Sequence, residues 1–286
     1  MKDRYAVLHQ YLLPKKALTQ FAGLVAHWKG GRWTSMIIRD FVRRYGVDMS
    51  EAHNPDIASY RSFNEFFTRS LRADARPVAN AEIVSPVDGA ISQLGPIDDD
   101  QVFQAKGRTY SATALLGGDA ELARHFRHGL FATLYLSPRD YHRVHMPCEG
   151  RLRRMIHVPG DLFSVNPVTA RGVDGLFARN ERVVCVFDSE QGAFAMVLVG
   201  ATIVGSIETV WHGIVNTSRT GKLKEWSYAD QDIRLAKGAE MGRFLLGSTV
   251  VLLFPQNRCH LNPDWVPERE IRQGEAMASQ FDVLMK

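Results

Sequence analysis

From about residue 80 onward, the chain is a succession of short runs of β-branched and aromatic residues separated by Gly, Pro and Asp. Runs of this length and composition predict strands, and their close spacing favours a sandwich or barrel built from many of them. We expect strands over 82–85, 90–94, 130–136, 151–157, 182–187, 193–199, 202–210 and 244–254.

The N-terminal part of the chain has a different pattern, with apolar residues at helical spacing. This spacing predicts amphipathic helices over 18–28 and 37–45. The sequence SFNE at 62–65 has the form of a capping box and predicts a third, short helix. The expected fold class is therefore α+β, with an amphipathic helical region in residues 1–70 and a β-rich, sandwich or barrel-like core in residues 71–286.

Composition excludes several classes of protein. The 286 residues are 45% hydrophobic and 23% charged, which is ordinary for a globular protein and excludes disorder and collagen-like repeats. The three cysteines are far apart and form no C-x-x-C pair, so we expect a reducing compartment and no zinc ribbon. Apolar runs are shorter than the roughly 20 residues that a spanning helix needs, so we expect no transmembrane segment and no signal peptide.

Positive charge is concentrated in the first 45 residues, which carry +7, whereas the whole chain carries +4. Trp28 and Trp33 flank Lys29 and Arg32 in this segment, a pattern typical of helices that lie on an anionic membrane. Alternatively, the helices pack on the β-rich part and the basic residues only solvate their outer face. Nucleic acid is not an expected partner, because the aromatic residues follow the apolar stripe and no nucleic-acid-binding motif is present.

Glycine and serine interrupt the most apolar of the predicted strands. Gly247 and Ser248 lie within the range 244–254, whose other residues are mostly aliphatic or aromatic. The pair can mark a β-bulge. Alternatively, the Ser248 hydroxyl faces the Gly247 carbonyl and attacks it, which would convert the peptide bond to an ester. A serine activated in this way needs a base, and the base needs a group that orients it.

Candidate partners for this serine lie in two upstream motifs. His142 and His145 are three residues apart, so a loop is needed to direct both towards one site. A two-histidine metal site is the competing idea, but no third ligand follows nearby in sequence, so no metal is expected. Asp88 precedes Gly89, a pair that on its own is typical of a turn. Asp88, His145 and Ser248 could also form the triad of a serine hydrolase.

Taken together and in this order, these motifs resemble those of the bacterial phosphatidylserine decarboxylases. The residues that carry the resemblance are PVDG at 86–89, YHRVHMP at 141–147 and LGST at 246–249. The likeness continues in FNEFF at 63–67, LSPRD at 136–140, PGDLFSVN at 159–166 and FARNER at 177–182. Each motif alone is moderately specific, whereas all of them in sequence order are highly specific.

The resemblance implies a proenzyme that cuts its own chain between Gly247 and Ser248, into a β subunit of residues 1–247 and an α subunit of residues 248–286. It implies that Asp88, His145 and Ser248 form the self-cleaving relay, with His145 as the base and Asp88 fixing its tautomer. Ser248 would become an N-terminal pyruvoyl group, the covalent cofactor. Phosphatidylserine would form a Schiff base with this group and lose carbon dioxide, leaving phosphatidylethanolamine.

Further expectations follow from the same resemblance. His142 is expected to donate a proton during decarboxylation or to position the carboxylate. Arg139, Arg143 and the cluster of Arg151, Arg153 and Arg154 are candidate contacts for the lipid phosphate, although charged surface is the simpler explanation for each. The expected partners are phosphatidylserine, an anionic membrane and a second αβ unit in a homodimer, with the enzyme peripheral on the cytoplasmic side of the cell membrane. A lipid-binding module without chemistry is a further alternative and predicts an intact chain.

Overall fold

The computed structural model describes residues 7–8, 10–11, 14–190, 192–202, 206–215, 221–245 and 248–280. Its helices are α1 (Lys15–His27), α2 (Arg32–Tyr45), α3 (Phe63–Phe67), α4 (Ala112–Leu115), α5 (Ala120–Arg124), α6 (Pro167–Gly172) and α7 (Leu176–Arg179). A single 3-10 turn is formed by Ile57–Ser59.

The strands are short and follow one another closely, as the sequence predicts. They are β1 (Ile83–Val84), β2 (Gly89–Pro96), β3 (Gln101–Ala105), β4 (Arg108–Ser111), β5 (Leu130–Leu136), β6 (Arg143–His145), β7 (Gly150–Val158), β8 (Arg182–Ser189), β9 (Gly192–Val199), β10 (Ile207–Thr209), β11 (Gly213–Ile214), β12 (Lys224–Ser227), β13 (Arg234–Leu235), β14 (Glu240–Phe244), β15 (Ser248–Phe254), β16 (Cys259–Leu261), β17 (Glu270–Ile271) and β18 (Ala276–Gln280).

The three N-terminal helices form where the sequence predicts them. Gly46 ends α2 with a left-handed φ of 67°, a conformation that favours glycine. The capping box of α3 is confirmed, because the Ser62 hydroxyl accepts a hydrogen bond from the Glu65 N–H at 3.2 Å. In return, the Glu65 carboxylate accepts one from the Arg61 N–H at 2.8 Å. The buried side chains around α2 and α3 form a small core of their own: Ile38, Val47, Tyr60, Phe66 and Phe67.

A nine-stranded sheet is the centre of the remaining chain. Its strands lie in the order β12, β7, β8, β9, β15, β5, β2 and β17, and β13 also pairs with β7. The middle strand, β15, is antiparallel to β9 on one side and to β5 on the other. Val250 and Leu252 face one apolar core, whereas Val251 and Leu253 face a second one. Both faces of β15 are covered, which explains its nearly continuous apolar sequence.

A different layer covers each face of this sheet. On one face lie two smaller sheets, β1-β18-β16 and β11-β10-β14-β6, which share a core with the large sheet. On the other face lie the short helices α4 to α7 and the hairpin of β3 and β4. The α+β class is therefore confirmed, and the described strands form open, layered sheets instead of a closed barrel. None of the described helices is long and apolar enough to cross a membrane.

The prediction of one strand over 244–254 is wrong. The strand β14 ends at Phe244 and pairs with β6 and β10, whereas β15 begins at Ser248 and pairs with β5 and β9. The chain thus passes from a small sheet to the large one between these two residues. An apolar pattern cannot reveal this passage, because both strands are buried. The strand expected over 202–210 is also shorter, since the described residues there form only β10.

Candidate active site

The start of β15 lies beside the segment that carries the first candidate histidine. Ser248, the first residue of β15, pairs with Leu136, the last residue of β5. The chain that continues from β5 leads to His142, whose carbonyl accepts a hydrogen bond from the Phe244 N–H at 3.1 Å. His142 is thereby tied to the end of β14, immediately before the chain crosses to β15.

The second candidate histidine lies beside the turn that carries Asp88. His145 ends β6, and its backbone N–H donates a hydrogen bond to the Pro86 carbonyl at 2.8 Å. After Asp88 the chain passes very close to β5, since a Cβ at Gly89 would lie 2.2 Å from the Tyr135 carbonyl oxygen. This contact requires glycine. The PVDG motif is therefore a tight turn that presents an aspartate next to β6.

Asp88 is buried, and Arg76 neutralises its charge. The Arg76 Nε lies 2.9 and 3.1 Å from the two carboxylate oxygens of Asp88, and Nη2 lies 2.5 Å from Oδ2. The Gln273 backbone N–H donates a further hydrogen bond to Oδ1 at 2.8 Å. Arg76 also contacts the Glu51 carboxylate at 2.7 Å. Asp88 is thus fixed in place by a fork-like ion pair, a geometry that favours arginine over lysine.

The ring of His145 is oriented by a backbone carbonyl. Its Nδ1 lies 2.9 Å from the Gly238 oxygen, which can only accept, so Nδ1 carries the proton of the neutral ring. Its Nε2 then accepts a hydrogen bond from the Tyr141 hydroxyl at 3.1 Å. Burial lowers the pKa of His145, whereas the hydrogen bond to Gly238, the charge of Glu240 and, to a smaller extent, the charge of Asp88 oppose this shift. Among the described contacts, Asp88 acts on His145 through space and not through a hydrogen bond.

His142 is fully buried and its ring is also held in one orientation. Its Nδ1 donates a hydrogen bond to the Asp140 carbonyl at 2.8 Å, and its Nε2 has no hydrogen-bond partner among the described residues. The ring centre lies 4.1 Å from that of Phe67 on α3. Burial lowers the pKa of His142 to about 3, and the positive charge of Arg69 acts in the same direction. The ring is therefore neutral near pH 7 and offers a free lone pair at Nε2.

Ser248 is buried, and its hydroxyl has no hydrogen-bond partner within the described part of the chain. A buried hydroxyl without a partner is costly and calls for an explanation, of which a catalytic role is one. The predicted cleavage residue Gly247 lies outside the described residues. Ser248 itself stands on the same face of β15 as Val250, towards the smaller sheets.

A cavity of about 740 Å³ adjoins these residues. Its walls include Asp88 and Tyr141, whereas Ser248, His142 and His145 do not line it. The reactive side chains of the intact chain are therefore covered, although the cavity reaches the residues that contact them. In the described ranges, no group of three or more His, Cys, Asp and Glu side chains is arranged to hold a metal ion.

The structure places Asp88 near His145 and joins His142 to the end of β14, four residues before Ser248, and it adds partners that the sequence pattern does not predict. Arg76 and Gly238 are examples, because nothing in their local sequence indicates a contact with Asp88 or His145. Tyr141 lies within the YHRVHMP motif, so the motif could have identified it as a residue of the site. Of the candidate phosphate contacts, Arg139 is paired with Glu270 and Arg143 is paired with Glu240.

The low pKa of His142 predicts a pH-dependent stability. Between about pH 6.5 and pH 3 the unfolded chain takes up a proton at this residue and the folded chain does not, so folding weakens as the pH falls. From pH 7 to pH 5 this amounts to about 2 kcal/mol, at about 1.4 kcal/mol per pH unit. Urea unfolding of Ser248→Ala and of Ser248→Ala/His142→Gln should show the difference. Equal pH dependence in both chains would contradict the assignment.

Comparison with known proteins agrees with the motif order. The family model described as Phosphatidylserine decarboxylase matches residues 63–279, and a second, described as PSD, matches residues 5–46. Proteins named phosphatidylserine decarboxylase proenzyme are similar over nearly their whole length. The one from Azoarcus sp. (strain BH72) is 67% identical over 98% of both chains. The one from Variovorax paradoxus (strain S110) is 68% identical over 98% of this chain and 99% of its own. This chain belongs to the phosphatidylserine decarboxylase family.

Proposed function

We propose that this chain is the proenzyme of a carboxy-lyase that cuts itself between Gly247 and Ser248 and converts phosphatidylserine to phosphatidylethanolamine. The observation that carries the proposal is the buried hydroxyl of Ser248, which has no partner among the described residues and lies four residues after Phe244, whose N–H donates to the His142 carbonyl. Such a hydroxyl is available for reaction, because no hydrogen bond to the described residues has to be broken first. The choice of phosphatidylserine decarboxylation as the reaction rests on membership of the family.

His145 is the base for self-cleavage. Its Nε2 lone pair can take the Ser248 proton once the Tyr141 hydroxyl moves aside. The Ser248 oxygen then attacks the Gly247 carbonyl carbon, the C–N bond breaks, and the released amine takes the proton. Asp88 stabilises the transient positive charge on His145 through space, while the Gly238 carbonyl keeps the ring in its tautomer. The ester formed in this way is the precursor from which Ser248 becomes pyruvoyl.

The pyruvoyl group supplies an electrophilic ketone that accepts the electron pair left behind by carbon dioxide. The site fits a group at this position, because Ser248 is buried and its side-chain oxygen has no competing partner. The chain must also deliver a proton to the carbon that has lost its carboxylate. His142 is assigned this role, since Nε2 is free to carry the proton, and the substrate carboxylate would raise the pKa of the ring.

The serine hydrolase alternative has no support. A hydrolytic triad needs hydrogen bonds from serine to histidine and from histidine to the acid. Here, Asp88 is bound by Arg76, and His145 is bound by Gly238 and Tyr141. The alternative of a lipid-binding module without chemistry does not explain why the Ser248 hydroxyl is buried without a partner among the described residues. It predicts that the purified chain stays intact.

The N-terminal helices provide a surface for the membrane. Their exposed apolar side chains are Leu18, Phe21, Leu24 and Val25 on α1, Trp28 directly after it, and Trp33, Met36 and Ile37 on α2. Basic residues at the junction of the two helices, Lys29 and Arg32, are exposed beside them. Such a surface binds anionic lipid through both apolar burial and charge. Peripheral attachment to a membrane follows from this proposal, whereas the cytoplasmic side of the cell membrane and the homodimer remain predictions of the family resemblance.

Cleavage is tested by the mass of the purified chain. We expect the 32.2 kDa chain to yield a fragment of about 4 kDa, since residues 248–286 are 39 of 286. The small fragment should carry a borohydride-reducible carbonyl at its N-terminus. Ser248→Ala should stay a single chain and form no phosphatidylethanolamine. An intact wild-type chain that turns over lipid, or cleavage of the Ser248→Ala chain, would contradict the proposal.

Substitutions of His145 and His142 should impair different steps, self-cleavage and decarboxylation respectively. His145→Ala should slow self-cleavage by about 10²- to 10⁴-fold, the usual contribution of a general base. His142→Ala should cleave but lose decarboxylation by a similar factor, because no ring nitrogen is then present to carry a proton to the substrate carbon. Band patterns over time and phosphatidylethanolamine formation measure the two steps, with His125→Ala, an exposed histidine, as the control. Failure of His142→Ala to cleave would assign that residue to maturation instead.

Membrane binding should depend on α1. Phe21 and Leu24 are 67% and 73% exposed, so the double substitution Phe21→Ser/Leu24→Ser removes apolar contact with lipid without opening the core. We expect flotation with anionic vesicles to weaken at least about tenfold, since one such side chain contributes about 2 kcal/mol when buried. Val266→Ser, exposed on the β-rich part, is the control. Raising the salt concentration should also weaken binding; unchanged binding of the double variant would place the lipid surface elsewhere.

A further inference from the structure

Arg69 is a buried arginine whose charge is left without an anionic partner. The residue is 6% exposed and lies two residues after the end of α3. Its Nε is fully buried and has no hydrogen-bond partner among the described residues. Across the described ranges, no carboxylate lies within 4.0 Å of its guanidinium. The ring of Phe66 has its centroid 5.2 Å from the guanidinium carbon.

Other buried arginines of this chain have partners for their charge or their N–H groups. Arg76 contacts two carboxylates, and Arg182 donates to three backbone carbonyls. Arg258 contacts Glu82 at 3.5 Å, although its Nε and Nη1 have no partner among the described residues. Burying a charge without a partner costs several kcal/mol, because the lost hydration is not replaced. An unpaired guanidinium in such a position is therefore suited to an anion that arrives from outside the chain.

Arg69 lies close to the residues of the candidate active site. Arg69 lines the cavity of about 740 Å³ together with Asp88 and Tyr141. It also acts on His142, since its positive charge contributes to lowering the pKa of that ring. The Asp88 carboxylate is paired with Arg76, so its repulsion of an anion that approaches Arg69 is weakened. A ligand paired with Arg69 would therefore lie at the border between the cavity and the covered site.

We propose that Arg69 binds the phosphodiester of the phospholipid substrate. This inference rests on the proposed function, which provides a substrate with two anionic groups, a phosphodiester and a carboxylate. The carboxylate loses its charge as carbon dioxide leaves, so an arginine bound to it would stabilise the substrate more than the transition state. The phosphodiester keeps its charge throughout, and its oxygens suit the fork of a guanidinium. Arg139 and Arg143 are already paired with glutamates.

The test compares matured wild type with Arg69→Met and Arg69→Lys. Soluble short-chain phosphatidylserine is the substrate, and glycerophosphoethanolamine and glycerophosphoserine are competitive inhibitors. Only the second inhibitor carries the carboxylate, whereas both carry the phosphodiester. We expect Arg69→Met to raise KM and both inhibition constants by about ten- to a hundredfold, the factor for a lost charge-assisted hydrogen bond, with kcat changed by less than about threefold. Arg69→Lys should fall between wild type and Arg69→Met.

Lys106→Gln is the matched control, because it removes one positive charge from the wall of the same cavity at an exposed position. Its inhibition constants should change by less than about threefold. If Arg69→Met weakens only glycerophosphoserine, Arg69 binds the carboxylate and the proposal is overturned; unchanged constants overturn it as well.

Two further readouts keep the test decisive. If Arg69→Met does not mature, two measurements replace it: the KM and inhibition constants of Arg69→Lys, and the inhibition of wild type by inorganic phosphate. Wild-type values of these constants in Arg69→Lys, together with no inhibition by phosphate, would then refute the proposal. Wild type is assayed in the same series for cleavage and for phosphatidylethanolamine formation. Failure of wild type would refute the proposed function, whereas active wild type with indifferent Arg69 variants refutes this inference alone.

Discussion

The hydrogen bonding of β15 on both sides is the constraint on which the rest of the structure depends. Seven residues of β15 pair with β5, and five pair with β9. The strands that follow β15 also pair with strands that precede it in the sequence, since β17 pairs with β2 and β18 pairs with β1. A cut before Ser248 therefore leaves the strand in place, because its ladder and both of its apolar faces are unaffected. The new chain end stays where the old peptide bond was, which is what a group generated from Ser248 requires.

The sequence predicts local features of this fold well and their tertiary arrangement poorly. The capping box at Ser62 and the strand over 130–136 form as expected, since both depend on neighbouring residues. The sheet change before Ser248 could not be predicted, because an apolar run indicates burial but not the strand with which it pairs.

The predicted site shows the same difference between local and distant information. The motifs identify Asp88, His142, His145 and Ser248 as the polar residues of one site. Their partners could not be identified in this way, since Arg76 and Gly238 lie far from them in sequence. Ion pairs and hydrogen bonds of this kind are set by packing, on which composition and spacing carry no information. The expectation that Asp88 fixes the His145 tautomer illustrates the point, because in the intact chain the Gly238 carbonyl makes the hydrogen bond to Nδ1.

Phe67 and Arg69 connect the N-terminal helical region to the chemistry. Phe67 on α3 packs against the His142 ring, and Arg69 contributes positive charge beside it. The side chains that keep His142 neutral therefore belong to the same region as the apolar surface of α1 and α2. Separation of α3 would remove the apolar cover of His142, because Phe67 packs on its ring. The helical region therefore contributes both the cover of His142 and, through Arg69, part of the cavity wall.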